Sequence, residues 1–369
     1  MDRTDMISKG HQPSAFSFQH SALSTQHSAF GTGYPEPRTQ NPEPYAGFRT
    51  RHSAPSTRPK VVFMGSGAFA VPSLEALAGE GYHLVGVITQ PPRPAGRNRK
   101  ITPPPTMVAA ERLGLPVLCP ERVRAPEAVE QLKGLQPDLM VVAAYGQILP
   151  QTVLDIPTKG CINVHGSLLP RWRGAAPIQA SLLAGDEFTG VSLMLMEAGL
   201  DTGPIIAQSL TRIEDVDEAP ELEIRLSRSG AALLIATLPF YLDGSIKPVI
   251  QDPDQATYAP MIKKGDGAID WSLPARQIWR ANRAYRPWPG TFTRWKGKLL
   301  KVVSCWPEDT LLVMEKPGTV VALGAGKEIG VATGRGVLVL KELALEGGKT
   351  LGVRQFLAGH RDFVGSCLE

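Results

Sequence analysis

A chain of 369 residues, 43% apolar and 20% charged, has enough material for two ordinary folded domains, which excludes a fibrous or wholly disordered protein. No apolar run approaches the roughly 18 to 20 residues of a membrane-spanning helix, and the first residues lack the continuous apolar stretch of a signal peptide, so a cytoplasmic protein is expected. The four cysteines, Cys119, Cys161, Cys305 and Cys367, form no CxxC pair and are read as free thiols, with no metal site, while the formal net charge of +4 becomes informative only when mapped along the chain.

Residues 1–58 are rich in Ser, Pro, Gln and His, and Gln19-His20-Ser21-Ala22 recurs as Gln26-His27-Ser28-Ala29. This is low complexity without a core pattern, so a disordered extension is expected. Four of the seven histidines fall here, but at irregular spacing and without cysteine, which argues against a metal-binding tract. The folded part opens on Lys60-Val61-Val62-Phe63-Met64, a buried-type strand, followed by a glycine turn and a helix through Leu74, Leu77 and Ala78. Its Gly65-x-Gly67-x-x-Ala70 pattern invites a dinucleotide, yet the second strand, Leu84 to Thr89, ends in Gln90-Pro91 where a ribose-binding carboxylate is required, so NAD is not expected.

From Gly81 to Ala110 there is no acidic residue, while Arg93, Arg97, Arg99 and Lys100 crowd a Pro/Gly-rich loop. Helices near Met107 to Leu113 and Pro126 to Lys133 then alternate with Val117-Leu118 and the apolar run Leu139 to Ala144. Continuous apolar strands alternating with helices predict a parallel sheet covered on both faces. The next strand, Cys161-Ile162-Asn163-Val164, ends in His165-Gly166-Ser167. Strand side chains alternate, so Asn163 and His165 share one face while Ile162 and Val164 point into the opposite layer.

A helix about Ala176 to Leu183, a strand Gly190 to Met196, a glycine-flanked Asp201, a strand over 204–213 and a long helix Ala219 to Leu242 complete this part. Pro248 to Pro260 reads as an extended connector. Beyond about residue 262, after a helix Pro274 to Ala284, short β-like runs separated by glycine turns predict a small β domain, a barrel. Residues 261–306 carry ten Lys/Arg against Asp266 and Asp270, a local balance of +8. Two separated basic regions in a nearly neutral chain point to a polyanion, most simply a nucleic acid, although a solvated face is the ordinary alternative for either alone. Five of the six tryptophans lie in this second region and are expected mostly in its core.

An imidazole oriented by Asp201, beside an amide able to donate to a developing oxyanion, suits acyl transfer. Ser167 lacks the Gly-x-Ser-x-Gly setting of a hydrolase nucleophile. The run Ile162 to Gln179, with Val142 to Pro150, Gly199-Leu200-Asp201-Thr202-Gly203, Thr89 to Arg97, Tyr258-Ala259-Pro260, Gly267 to Trp271 and Pro287-Trp288-Pro289-Gly290, resembles the signature of the methionyl-tRNA formyltransferases, a folate-dependent formyltransferase family. The resemblance spans about 59 to 365. It departs in the first glycine turn, where Ser66-Gly67-Ala68 replace the usual middle residues, and in the basic loop at Pro92 and Asn98.

The resemblance implies an α/β fold: a Rossmann-like, mostly parallel catalytic domain over 59–245, a linker over 246–261, and a smaller OB-like β-barrel over 262–369 that grips tRNA. It implies transfer of the formyl group of 10-formyltetrahydrofolate to the α-amine of initiator methionyl-tRNA; a monomer without metal or NAD is expected. Carried over residue by residue, Asn163, His165 and Asp201 are catalytic, and Ser167, Leu168, Leu169 and Pro170 bind folate. Arg93, Arg97, Arg99 and Lys100 approach the tRNA. A related formyltransferase acting on a small amine, a nucleotide precursor or an amino sugar, is the nearest alternative, and the two basic regions favour tRNA.

Overall fold

The computed structural model describes residues 58–95, 100–311, 313–324 and 328–369. The expected extension over 1–58 lies outside them except for Arg58, and so do Arg97 and Arg99 of the basic loop. In chain order the first part contains β1 (Lys60–Gly65), α1 (Val71–Gly79), β2 (His83–Ile88), β3 (Arg93–Ala95), β4 (Lys100–Thr102), α2 (Pro105–Arg112), β5 (Val117–Leu118), α3 (Pro126–Gly134), β6 (Leu139–Ala143), α4 (Gln151–Leu154) and β7 (Cys161–His165). It continues through β8 (Arg173–Gly174), α5 (Pro177–Ala184), β9 (Phe188–Leu195), β10 (Ile205–Arg212) and α6 (Ala219–Leu242). The helices start on proline at α2, α3 and α5, where the missing N–H costs no intrahelical bond.

Seven strands form one sheet in the order β10-β9-β7-β6-β1-β2-β5. β1, β2, β5, β6 and β7 are parallel, and β9 and β10 join as an antiparallel flank on β7. The predicted alternation holds in the core. Val61, Phe63, Val141, Ile162 and Val164 pack on one face with α1, α5 and α6, whereas Val62, Met64, Met140, Val142 and Cys161 pack on the other with α3 and α4. Gly230 lets α6 press onto β7, since a Cβ there would stand 2.8 Å from Val164. Both faces being covered explains why these strands read as unbroken apolar runs. No described helix is long and apolar enough to cross a membrane.

After a connector containing β11 (Tyr258–Ala259), the second part runs α7 (Ala275–Ala284), β12 (Thr291–Trp295), β13 (Lys298–Glu308), β14 (Val320–Leu323), β15 (Glu328–Ala332), β16 (Val337–Leu345), β17 (Leu351–Gly352) and α8 (Val353–Gly359). Its antiparallel sheet has the order β12-β13-β16-β15-β14, with β17 on β16. The edge strands β12 and β14 are bridged by residues 366–369: Arg294 exchanges both backbone bonds with Glu369 at 3.2 and 3.1 Å, while Val320 donates to Ser366 and Leu368 to Gly318. That bridge closes the predicted small β unit. Trp271, Trp279 and Trp295 are buried in its core, but Trp288 and Trp306 are exposed, so the tryptophans divide between core and surface.

Candidate active site

The parallel strands β1, β6 and β7 end side by side, each followed by a tight turn, which is where an open α/β sheet places its ligands. Ala144 after β6 has φ 43° and accepts backbone bonds from Ser66 and Gly67 after β1, at 3.2 Å each. Ser66 Oγ donates to the Tyr145 carbonyl at 3.0 Å and accepts from the Gln90 N–H at 3.0 Å, so the ends of β1, β6 and β2 share one network.

At the end of β7, Asn163 pairs with Val142 and Met194, and His165 stands opposite Ser192. Asn163 is half-buried, and its amide has no hydrogen-bond partner among the described residues. His165 is buried, with Nε2 3.0 Å from the Trp172 carbonyl. A carbonyl only accepts, so Nε2 carries the proton of the neutral ring and Nδ1 is left as its basic nitrogen. Asp201 Oδ2 lies 3.7 Å from that Nδ1: too long for a hydrogen bond, close enough to pair with a ring that has gained a second proton. Asp201 has φ 51° and is held by its own carboxylate, whose Oδ2 accepts from the Gly174 N–H at 2.8 Å. Thus His165 and Asp201 come together although they are 36 residues apart, and Asn163 shares the His165 face of β7.

The turn 166–172 is pinned from the antiparallel flank. Ser192 Oγ donates to the Ser167 carbonyl at 2.7 Å and accepts from the Leu169 N–H at 2.9 Å, and Gln208 donates to the Leu169 carbonyl and to Ser192 Oγ. Ser167 is fully buried, its hydroxyl donating to the Arg171 carbonyl at 2.6 Å. Leu169 is likewise buried, so within Ser167 to Pro170 only Leu168 and Pro170 present partly exposed side chains. Arg171 and the Trp172 indole both bond Asp186, the guanidinium lying 4.3 Å from the ring centroid, and Trp172 has φ 61°. That left-handed residue turns its carbonyl toward His165.

Arg93 and Lys100 are exposed on the β3–β4 hairpin; Arg93 lies 3.5 Å from Glu121. Arg93 shares an open recess with Arg122, Arg124, Gln90, Gln147 and Ile148, so two more cations join the loop. In the second basic region the window balance overstates the field. Arg276, Arg286 and Lys296 pair with Asp309, Glu218 and Asp362, all outside residues 261–306, and Arg283 is bound to the carbonyls of Asp217 and Glu214. Among the described residues no group of three His, Cys, Asp or Glu is placed to hold a metal ion.

Sequence reading missed Ser192, Gln208, Gln251, Arg122 and Arg124. The one signal for Ser192 is a hydroxyl in an otherwise apolar strand, and the others carry none.

A doubly covered, mostly parallel sheet with an amide and an imidazole at the end of an interior strand, followed by a small antiparallel unit, is the architecture of a formyl-transferring enzyme. The family model for formyl transferase matches residues 59–238, and that for the formyl transferase C-terminal domain matches residues 261–361. The chain is 46% identical over 302 residues to the methionyl-tRNA formyltransferase of Chloroflexus aggregans, covering 81% of this chain and 97% of that one. It is 49% identical over 307 residues to that of Halorhodospira halophila, covering 82% and 96%. Among solved structures it resembles the N-formyltransferase of Helicobacter canadensis in complex with folinic acid and dTDP-3-aminofucose (TM-score 0.58, 16% identity, 80% of this chain and 100% of that one). It also resembles HypX of Aquifex aeolicus in complex with tetrahydrofolic acid (TM-score 0.54, 16% identity, 84% and 48%). The chain belongs to the methionyl-tRNA formyltransferase family.

Proposed function

We propose that this chain transfers the formyl group of 10-formyltetrahydrofolate to the α-amine of methionine on initiator tRNA. The observation that carries the reading is the approach of the His165 ring and the Asp201 carboxylate to 3.7 Å at the carboxyl end of β7, with Asn163 two residues earlier on the same face of that strand. The site fits an acyl donor: a half-buried amide without a partner among the described residues can donate to a carbonyl oxygen, and it stands at the strand ends where such sheets bind ligands. When bound, the folate supplies the carbon that the amine attacks and the nitrogen that departs.

Asn163 stabilises the carbonyl oxygen as charge builds on it. The attacking amine sheds a proton, and His165 Nδ1 is the nitrogen available to take it, directly or through water, because Nε2–H is committed to Trp172. Asp201 supplies the compensating negative charge at 3.7 Å. The same proton is then available for the leaving nitrogen. Leu168 and Pro170 form the folate-side wall, with Ser167 and Leu169 acting from inside the turn. Residues 59–245 are the catalytic domain, 246–261 the linker and 262–369 the tRNA-gripping domain. Arg93, Arg97, Arg99 and Lys100 engage phosphates, and the protein works as a cytoplasmic monomer, where initiator tRNA is used.

The purified protein is tested with 10-formyltetrahydrofolate and, in parallel, charged initiator methionyl-tRNA, a nucleotide-precursor amine and an amino sugar nucleotide. Formylation of the tRNA with little transfer to the small amines is expected. Preference for a small amine would replace this reading with the related one.

A further inference from the structure

Four hydrogen bonds of one buried side chain tie the Asp201 loop to Arg173 of β8. Gln251 is 5% exposed; its Nε2 donates to the Asp201 carbonyl at 2.8 Å and to the Gly203 carbonyl at 2.7 Å. Its Oε1 accepts from Arg173 Nε and Nη2 at 3.0 and 2.7 Å, and Arg173 is itself buried. Gln251 belongs to neither family-model match, lying between residues 238 and 261. The same connector reaches the site twice more. Thr257 Oγ1 accepts from the Trp172 N–H at 2.9 Å, and its carbonyl accepts from the Arg173 N–H at 2.8 Å. The Ala259 carbonyl accepts from Ala175, and β11 pairs with β8, so that Gly174 points its N–H at Asp201 Oδ2.

We infer that the connector is a working part of the catalytic centre and that Gln251 is a positioning residue, which holds Asp201 in register with His165. Asp201 is in the left-handed region, a conformation that a non-glycine residue keeps only when its surroundings over-determine it. Two of the constraints are visible: its carboxylate on Gly174 and its carbonyl on Gln251. Losing the second frees the backbone on which the carboxylate is mounted. The separation between Asp201 Oδ2 and His165 Nδ1 is already at the outer edge of a useful ion pair, so a shift of a few tenths of an ångström is felt. A purely supporting amide would lower stability and leave kcat and both KM values of the folded protein unchanged.

The inference rests on the catalytic reading of Asp201, and the test separates the two. Gln251→Glu keeps the side-chain length and the Arg173 partner but sets acceptors against both carbonyls. Gln251→Met, uncharged and of similar length, serves if the first variant does not fold. Each is made in the full chain and in an Asp201→Asn background, with thermal midpoint, kcat and both KM values measured. Expected is a loss of kcat of roughly ten- to a hundredfold, the scale of a small misplacement of a catalytic group, with both KM values within about twofold. In the Asp201→Asn background the Gln251 substitution should change kcat by less than about threefold, since the two act through one carboxylate. Unchanged kcat in the single variants, or the same loss in both backgrounds, overturns the positioning role while leaving the function intact. Near-normal turnover of Asp201→Asn alone removes the catalytic reading and the inference with it.

Discussion

The proton on His165 is decided by a backbone carbonyl. Because Trp172 O accepts at 3.0 Å, the neutral ring keeps its hydrogen on Nε2 and offers Nδ1, the nitrogen that faces Asp201. Removing the donor at Asn163 should therefore affect chemistry alone: Asn163→Ala is expected to lower kcat by roughly a hundred- to a thousandfold, with the folate KM little changed in steady-state assays. His165→Ala should cost roughly a hundred- to ten-thousandfold in kcat, the usual span for a general acid–base group. Ser167→Ala is the informative contrast. Its hydroxyl is buried and spent on the Arg171 carbonyl, so turnover should stay within a few fold while stability falls by about 1 kcal/mol on chemical denaturation. A hundredfold loss of kcat in that variant would place Ser167 in the chemistry.

At the scale of elements, the β3–β4 hairpin presents its charge together with the segment before α3. Arg122 and Arg124, exposed on either side of buried Val123, line the recess that contains Arg93, and Gln147 holds their turn by accepting the Val123 N–H at 2.8 Å. If these side chains meet phosphates, Arg122→Ala and Arg124→Ala should each raise the KM for tRNA and reduce the slope of log KM against log salt by about one, leaving the folate KM unaltered. An equal rise in both KM values would argue for a folding defect. The second basic region behaves differently, because carboxylates from Glu218, Asp309 and Asp362 neutralise Arg286, Arg276 and Lys296. Its remaining exposed cations, among them Lys264, Lys298 and Lys301, are the ones left to face a polyanion.

For the molecule as a whole, the last residues complete the second sheet. Residues 366–369 bond both β12 and β14, and Leu368 is buried in the core there. Deleting residues 366–369 should lower the thermal midpoint by several degrees, since a buried leucine and its ladder bonds are worth about 2 to 5 kcal/mol together, and should weaken tRNA use more than folate use. Cysteine reactivity reports on the same closure. Burial pushes the Cys161 and Cys305 thiols up to about 12, whereas Cys367 is exposed on the tail. A thiol reagent at neutral pH should label Cys367 in the folded protein, and Cys161 and Cys305 only after denaturation, as peptide mapping would reveal.

The layers and the chemistry of β7 were legible in the sequence alone. Covered strands must be apolar along their length, and the two-residue period of a strand puts Asn163 and His165 on one side of β7, so both are legible locally. The residue types at Asn163, His165 and Asp201, with the runs around them, likewise carried the family. Tertiary structure alone decided how the site is held. Ser192 and Gln208 reach the 166–172 turn from the flank, and from a polar connector whose composition carries no periodic signal Thr257 reaches the same turn while Gln251 reaches the Asp201 loop. The same holds for charge: whether Arg286 or Lys296 adds to a basic face depends on Glu218 and Asp362, more than 60 residues away in either direction. Hydrogen bonds and ion pairs act over a few ångströms of space whatever the distance along the chain. Folding brought the connector's amide to the Asp201 backbone and left the Asn163 amide open at the end of its strand.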